Sequence, residues 1–204
     1  MGRRNGKTSG AAKTPLDMLF ASSARAAVLR LFMLDPARAY YQRQIESTTG
    51  LAIRAVQREL ERLSKMELLY RRTEGNRAYY QVDMQFPLFP ELRGMVLKTS
   101  SELDRLRGNL ALDDAVRLAF YREESNRLLL VTAGDKRPSL DERPASIEVE
   151  VMDMETFVRA LAERSPSLDP FLREGVDILG RREDVVWRRI EAAGYSVNKG
   201  KGVV

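Results

Sequence analysis

Between residues 22 and 34, apolar side chains recur at Ala24, Ala27, Val28, Leu31 and Phe32. This three-and-four spacing gives an α-helix one core-facing stripe. Pro36 ends the pattern. A shorter helix is predicted from Tyr41, burying Ile45 and stopping at Gly50, a residue suited to a left-handed C-cap. A third is predicted over 52–66. Its buried stripe is Val56, Leu60 and Leu63, and its opposite face carries Arg54, Gln57, Arg58, Glu61 and Arg62. The pattern then becomes strand-like over 68–73 and 77–82. Between these runs, Glu74-Gly75-Asn76 contains a hairpin-type turn pair.

Phe86-Pro87-Leu88-Phe89-Pro90 reads as a stiff joint. One helix is predicted after it, over 91–107, with Leu92, Met95, Val96, Thr99, Leu103 and Leu106 on a shared face. That face suits either dimerisation or packing of the two halves on each other. Beyond it the pattern is mixed. Strands are predicted over 115–121, 127–132 and 146–151, and helices over 155–162, 167–173 and 182–193. Phe157, Leu161, Leu168, Phe171, Val186 and Ile190 would cover one face of the resulting sheet. The fold class expected is α+β. The divisions expected are a flexible basic tail (1–15), a first domain (16–86), a linking or dimerisation helix (87–110), a small α/β domain (111–195) and a second loose tail (196–204).

Two short helices split by a glycine turn, followed by a β-hairpin, match the helix-turn-helix with a wing. The run TTGLAIRAVQRELERLSKMELLYRRTEGNRAYYQV resembles the winged-helix domains of ArsR/MarR-type prokaryotic transcription regulators. With the flanking YYQRQI and FPLFPELRGMVLKT, the chain resembles the subset of such regulators fused to a minimal nucleotidyltransferase-like domain. The resemblance is more specific over the first half than over the second.

It implies that the third helix enters the major groove of double-stranded DNA. Arg54, Gln57 and Arg58 would meet base edges there, because Arg and Gln bond guanine and adenine bidentately. Ala52 and Ala55 would permit close approach or touch a thymine methyl, and Arg62 lies further along the same helix. Tyr41, Gln42 and Arg43 would meet phosphates. Arg71, Arg72, Asn76 and Arg77 in the wing would reach the backbone or minor groove. Glu59 and Glu61 argue against this face, since phosphate repels them, unless Arg62, Lys65 or another arginine neutralises them.

Charge follows the same division. Residues 1–85 carry 15 Lys+Arg against 8 Asp+Glu, net +7, and the remainder carries 19 against 21, net −2. The excess lies on the half that would neutralise phosphate. Arg3, Arg4, Lys7 and Lys13 belong to a Gly- and Ser-rich start that reads as a flexible tail, with an arm laid along DNA as the alternative. The chain has neither cysteine nor histidine. Disulfides, thiol redox sensing, Cys/His metal sites and histidine acid–base catalysis are therefore excluded within it. No apolar run approaches the roughly 18 residues of a membrane span, and no secretory core is present. A cytoplasmic location is expected, at the nucleoid when DNA-bound.

A nucleotidyltransferase needs a Gly-Ser turn to cradle phosphate, an Asp-x-Asp pair and a third carboxylate to hold divalent cations. The loop Arg122-Glu123-Glu124-Ser125-Asn126-Arg127 has no Gly-Ser pair and puts Ser125-Asn126-Arg127 where the acids belong. Glu148 or Glu150 falls near the third position but alone reads as an exposed strand residue, and Glu123 and Glu124 are weighed as substitutes. Gly134-Asp135-Lys136-Arg137-Pro138 reads as a solvated hairpin with two cations. The second domain is therefore expected to be a degenerate, non-catalytic nucleotidyltransferase-like fold without cofactor or metal. The functional expectation is a sequence-specific regulator, a homodimer on a pseudo-palindromic DNA site, with an unidentified protein partner or effector at the second domain. The alternatives are a nucleotidyltransferase docked through its winged helix, and a protein-interaction adaptor.

Overall fold

The computed structural model describes residues 14–140, 143–182 and 185–203. It is a mixed α+β chain with two sheets. The first half runs α1 (Pro15–Leu19), α2 (Ser23–Leu34), β1 (Tyr40–Tyr41), α3 (Gln42–Thr49), α4 (Ile53–Lys65), β2 (Leu69–Glu74) and β3 (Arg77–Val82). Thr14 and Asp17 form a reciprocal capping box at α1, and Ser22 caps α2 by accepting from the Arg25 amide. Apart from residues 14 and 15, the predicted basic tail lies outside the described residues.

Helix α2 buries Ala26, Val28, Leu29 and all of Leu31, Phe32, Met33 and Leu34. A helix buried on more than one stripe needs neighbours on several sides, and α1, α3, α4, α5 and α6 supply them. Gly50 follows α3 at φ +68, where a side chain would strain the backbone, and its N–H closes on the Glu46 carbonyl at 2.9 Å. Only Gly50, Leu51 and Ala52 then separate α3 from α4. The sheet order is β1-β3-β2, all antiparallel, with Glu74 paired to Arg77 across a Gly75-Asn76 turn.

The predicted single helix after Pro87 is two: α5 (Phe89–Lys98) and α6 (Glu102–Leu112). The break falls at Ser101, whose hydroxyl accepts from the Asp104 amide and so starts a new helix. The face expected to dimerise or pack is used within the chain. Leu92, Met95 and Val96 join the core of the first half, while Leu103 and Leu106 join a core against the second sheet.

The second half adds β4 (Val116–Arg122), β5 (Arg127–Thr132), β6 (Glu148–Asp153), α7 (Met154–Ala162), a π-helical turn over Pro170–Glu174, β7 (Val176–Asp177), α8 (Val185–Ala192) and β8 (Asn198–Lys199). Its sheet order is β6-β5-β4-β7-β8. Both faces are covered, which is why β5 reads as the unbroken run Leu128-Leu129-Leu130-Val131. Leu118, Phe120, Leu129 and Val131 face α7 and α8, where Phe120 stacks on Phe157 and meets Trp187 edge-on. Ala119, Tyr121, Leu128 and Leu130 face α6. All six residues expected to cover one sheet face are gathered in the first of these cores.

Two expectations are corrected. The residues after β5, Gly134 to Pro138, do not form a hairpin turn, because β6 returns parallel to β5. The end of the chain is not loose, because β8 pairs with β7 and Gly200 N–H donates to the Asp177 carbonyl at 2.8 Å.

The halves meet closely at Gly108 of α6. A Cβ there would lie 2.8 Å from a Leu97 methyl and 3.2 Å from a Leu34 methyl. Gly108→Ala sets overpacking of about 1–3 kcal/mol against about 1 kcal/mol of helix propensity gained, so a net destabilisation of up to about 2 kcal/mol is expected. Denaturant unfolding would register this as a lower midpoint at an unchanged slope.

Candidate functional site

Helix α4 separates its two faces sharply. Val56, Leu60 and Leu63 are at most 2 % exposed, while Arg54, Gln57, Arg58, Glu61 and Arg62 are exposed. Ala52 is exposed at the helix N-cap, and Ala55 is half-buried one turn below Glu59. The cationic face is therefore a consequence of the apolar stripe on the other side fixing the rotation of the helix.

The acids on this helix have separate solutions. Glu59 does not face solvent. It is 5 % exposed, accepts from Arg25 Nε of α2 at 3.0 Å and pairs with Arg62 Nη1 at 3.3 Å. It thus fastens α4 to α2 and leaves no bare carboxylate among the arginines. Glu61 is exposed and meets Lys65 Nζ at 2.9 Å, and that hydrogen bond holds its carboxyl below the usual range.

The start of α3 joins the other two elements. Gln42 Oε1 accepts from Gln57 Nε2 of α4 at 3.3 Å. Tyr41 is drawn into the first sheet opposite Tyr79, and their rings meet edge-on at 5.8 Å. The Arg77 guanidinium lies 4.8 Å over the Tyr41 ring, and that of Arg72 lies 5.8 Å over Tyr79. Arg72 also reaches Glu74 at 3.4 Å. Arg43, Arg71 and Asn76 are exposed without being part of this stack.

Gln42, Gln57, Tyr41, Tyr79, Arg72 and Arg77 therefore link three elements predicted separately: the face of α4, the start of α3 and the turn-proximal half of the hairpin. Sequence reasoning missed Tyr79, whose ring carries the junction. Its signal was there in the aromatic pairs Tyr40-Tyr41 and Tyr79-Tyr80 interleaved with arginine.

Asp35 and Tyr40 form a polar pair at the end of α2. Burial pushes the Tyr40 hydroxyl far above its ordinary range, with Asp35 beside it adding to the shift. Burial also raises the Asp35 carboxyl, against the opposing pull of Arg38, Arg181 and Arg107. Arg181 ties the seam by donating to the carbonyls of Val116 and Ala111 at 2.7 and 2.6 Å.

The carboxylates weighed in the second half lie elsewhere. Glu123 and Glu124 are exposed in the β4–β5 turn. Glu150 and Glu148 both lie against Arg127, which is bonded to Glu150 and 3.7 Å from Glu148. Among the described residues no three acids, cysteines or histidines come together as a cation site.

Compared with family models, with curated proteins and with solved structures, the chain returns no match.

Proposed function

We propose that this chain is a sequence-specific, double-stranded-DNA-binding transcriptional regulator built on a winged helix-turn-helix. In this reading α3 and α4 are the paired helices, α4 is the recognition helix, and the β2–β3 hairpin is the wing. The observation that carries it is the surface joining α4, the start of α3 and the hairpin. Arg54, Gln57 and Arg58 stand exposed between flanking cations, on a helix held from behind by Val56, Leu60 and Leu63. Phosphate contacts from Arg43, Gln42 and the hairpin arginines would set register, and the α4 side chains would choose sequence.

One such unit reads a half-site, so the regulator is proposed to act as a homodimer on a pseudo-palindrome, in the cytoplasm. Among the described residues no helix is long and apolar enough to cross a membrane. The second half is proposed to be a non-catalytic nucleotidyltransferase-like fold. What supports that over an active enzyme is Arg127, which engages both carboxylates nearest the expected third metal ligand and would repel a cation itself.

Selection of bound duplexes from a random pool tests the reading. The expected product is a pseudo-palindrome with half-site centres about 10–10.5 base pairs apart, or a multiple of that. Affinity should fall steeply with salt. Enrichment of no sequence, or binding indifferent to salt, would remove it.

A further inference from the structure

The end of the chain brings two lysines against the helix-turn-helix region. Lys199 and Lys201 line a concave surface of about 630 Å³ together with Arg38, Arg182, Tyr41 and Gln44. The four cations come from three segments, with Lys199 and Lys201 sharing one, and no carboxylate among the described residues lines the surface. Such convergence of like charge favours an anion beside it. Asp177 pairs with Arg182 from behind the surface rather than on it.

The backbone under these lysines is fixed. Gly200 N–H bonds the Asp177 carbonyl, and Val203 N–H returns to the Gly200 carbonyl at 3.1 Å. Arg107 Nη1 donates to the Lys201 carbonyl at 3.0 Å. Gly202 has φ +75, and a Cβ there would lie 3.2 Å from Arg107 Nη1, so this position accepts only glycine without rearrangement. The lysine ammoniums are thus presented from a held strand.

Tyr41 and Gln44 connect this surface to the start of α3, where the proposed phosphate contacts begin. Resting on the DNA-binding reading, we infer that Lys199 and Lys201 form a second phosphate-binding surface, extending the duplex footprint from α3 onto the C-terminal half. The ligand chemistry is the backbone phosphate of DNA beyond the half-site, read without regard to base.

The test is a salt titration of the Lys199→Ala, Lys201→Ala double variant on the duplex selected by the wild type. Both side chains are exposed and the backbone hydrogen bonds that fix this segment do not involve them, so the fold should persist, which circular dichroism and thermal melting would verify. Each phosphate left unneutralised lowers the slope of log affinity against log salt by about 0.9. The double variant should lose about two units of slope, so that its affinity falls about tenfold less than that of the wild type between 50 and 200 mM salt. Its base preference should be unchanged. A steep wild-type slope with an equal slope in a folded variant would overturn the inference while leaving the DNA-binding reading standing. A wild type with no salt-dependent binding would remove both.

Discussion

Arg54→Ala and Arg58→Ala should each weaken binding to the selected site by about 1–3 kcal/mol, roughly fivefold to 160-fold, and each should flatten the preference at one base pair. The two arginines stand four residues apart, one turn along α4, so on a groove-bound helix they address neighbouring pairs. Both are exposed, and neither closes an ion pair within its own helix as Arg62 does with Glu59. Alanine is the better helix former, so a loss of affinity cannot be assigned to a weakened α4. Arg62→Ala serves as the contrast. Its guanidinium is already engaged, and it should lower affinity less and equally across sequences. Measured affinities on the selected site and on single-base variants give both quantities. Unchanged preference in both Arg54 and Arg58 variants would mean that α4 is not the reading helix.

How much of this could be read in advance depended on how local the cause was. The rotation of α4 was legible because Val56, Leu60 and Leu63 repeat at helical spacing and leave only one orientation. The role of Glu59 was not, because its partner Arg25 lies 34 residues away on another helix. The same holds for β1, β7 and β8, each of two residues. Their pairing is decided by the strand they meet and leaves no alternation to find. Thus Tyr41 was read as the first residue of a helix, whereas its backbone is extended against Tyr79 before α3 begins.

The helix break at Ser101 is different, because the signal was present and was overridden. Ser101 followed by Asp104 is an N-cap signature. The shared apolar face from Leu92 to Leu106 suggested one continuous helix, although its two parts serve different cores. The C-terminal lysines were missed for a related reason. A Gly- and Lys-rich ending looks like an untethered tail, and only Asp177, Arg107 and the neighbouring strand make it a fixed surface.

That fixed surface leads to the largest stability effect expected away from the apolar cores. Asp177 is 1 % exposed and charged, and its carboxylate is fully used. One oxygen accepts the amides of Leu179 at 3.0 Å and Gly180 at 2.8 Å, and the other accepts Arg182 Nε at 3.1 Å. Asp177→Ala leaves two amides and one guanidinium seeking partners at once. Orphaned buried donors cost about 1–3 kcal/mol each, and loss of one member of a buried ion pair about 3–5 kcal/mol. Because the Arg182 side chain is 30 % exposed and can regain water, a total of about 3 kcal/mol is expected, near the lower end. Asp177→Asn retains an acceptor for the amides but not the charge, and should cost less. The loop held by Asp177 also presents the Gly180 carbonyl to Arg38 Nη1. Urea unfolding of the three proteins measures the effect. An alanine variant as stable as wild type would show that this carboxylate does not close the loop.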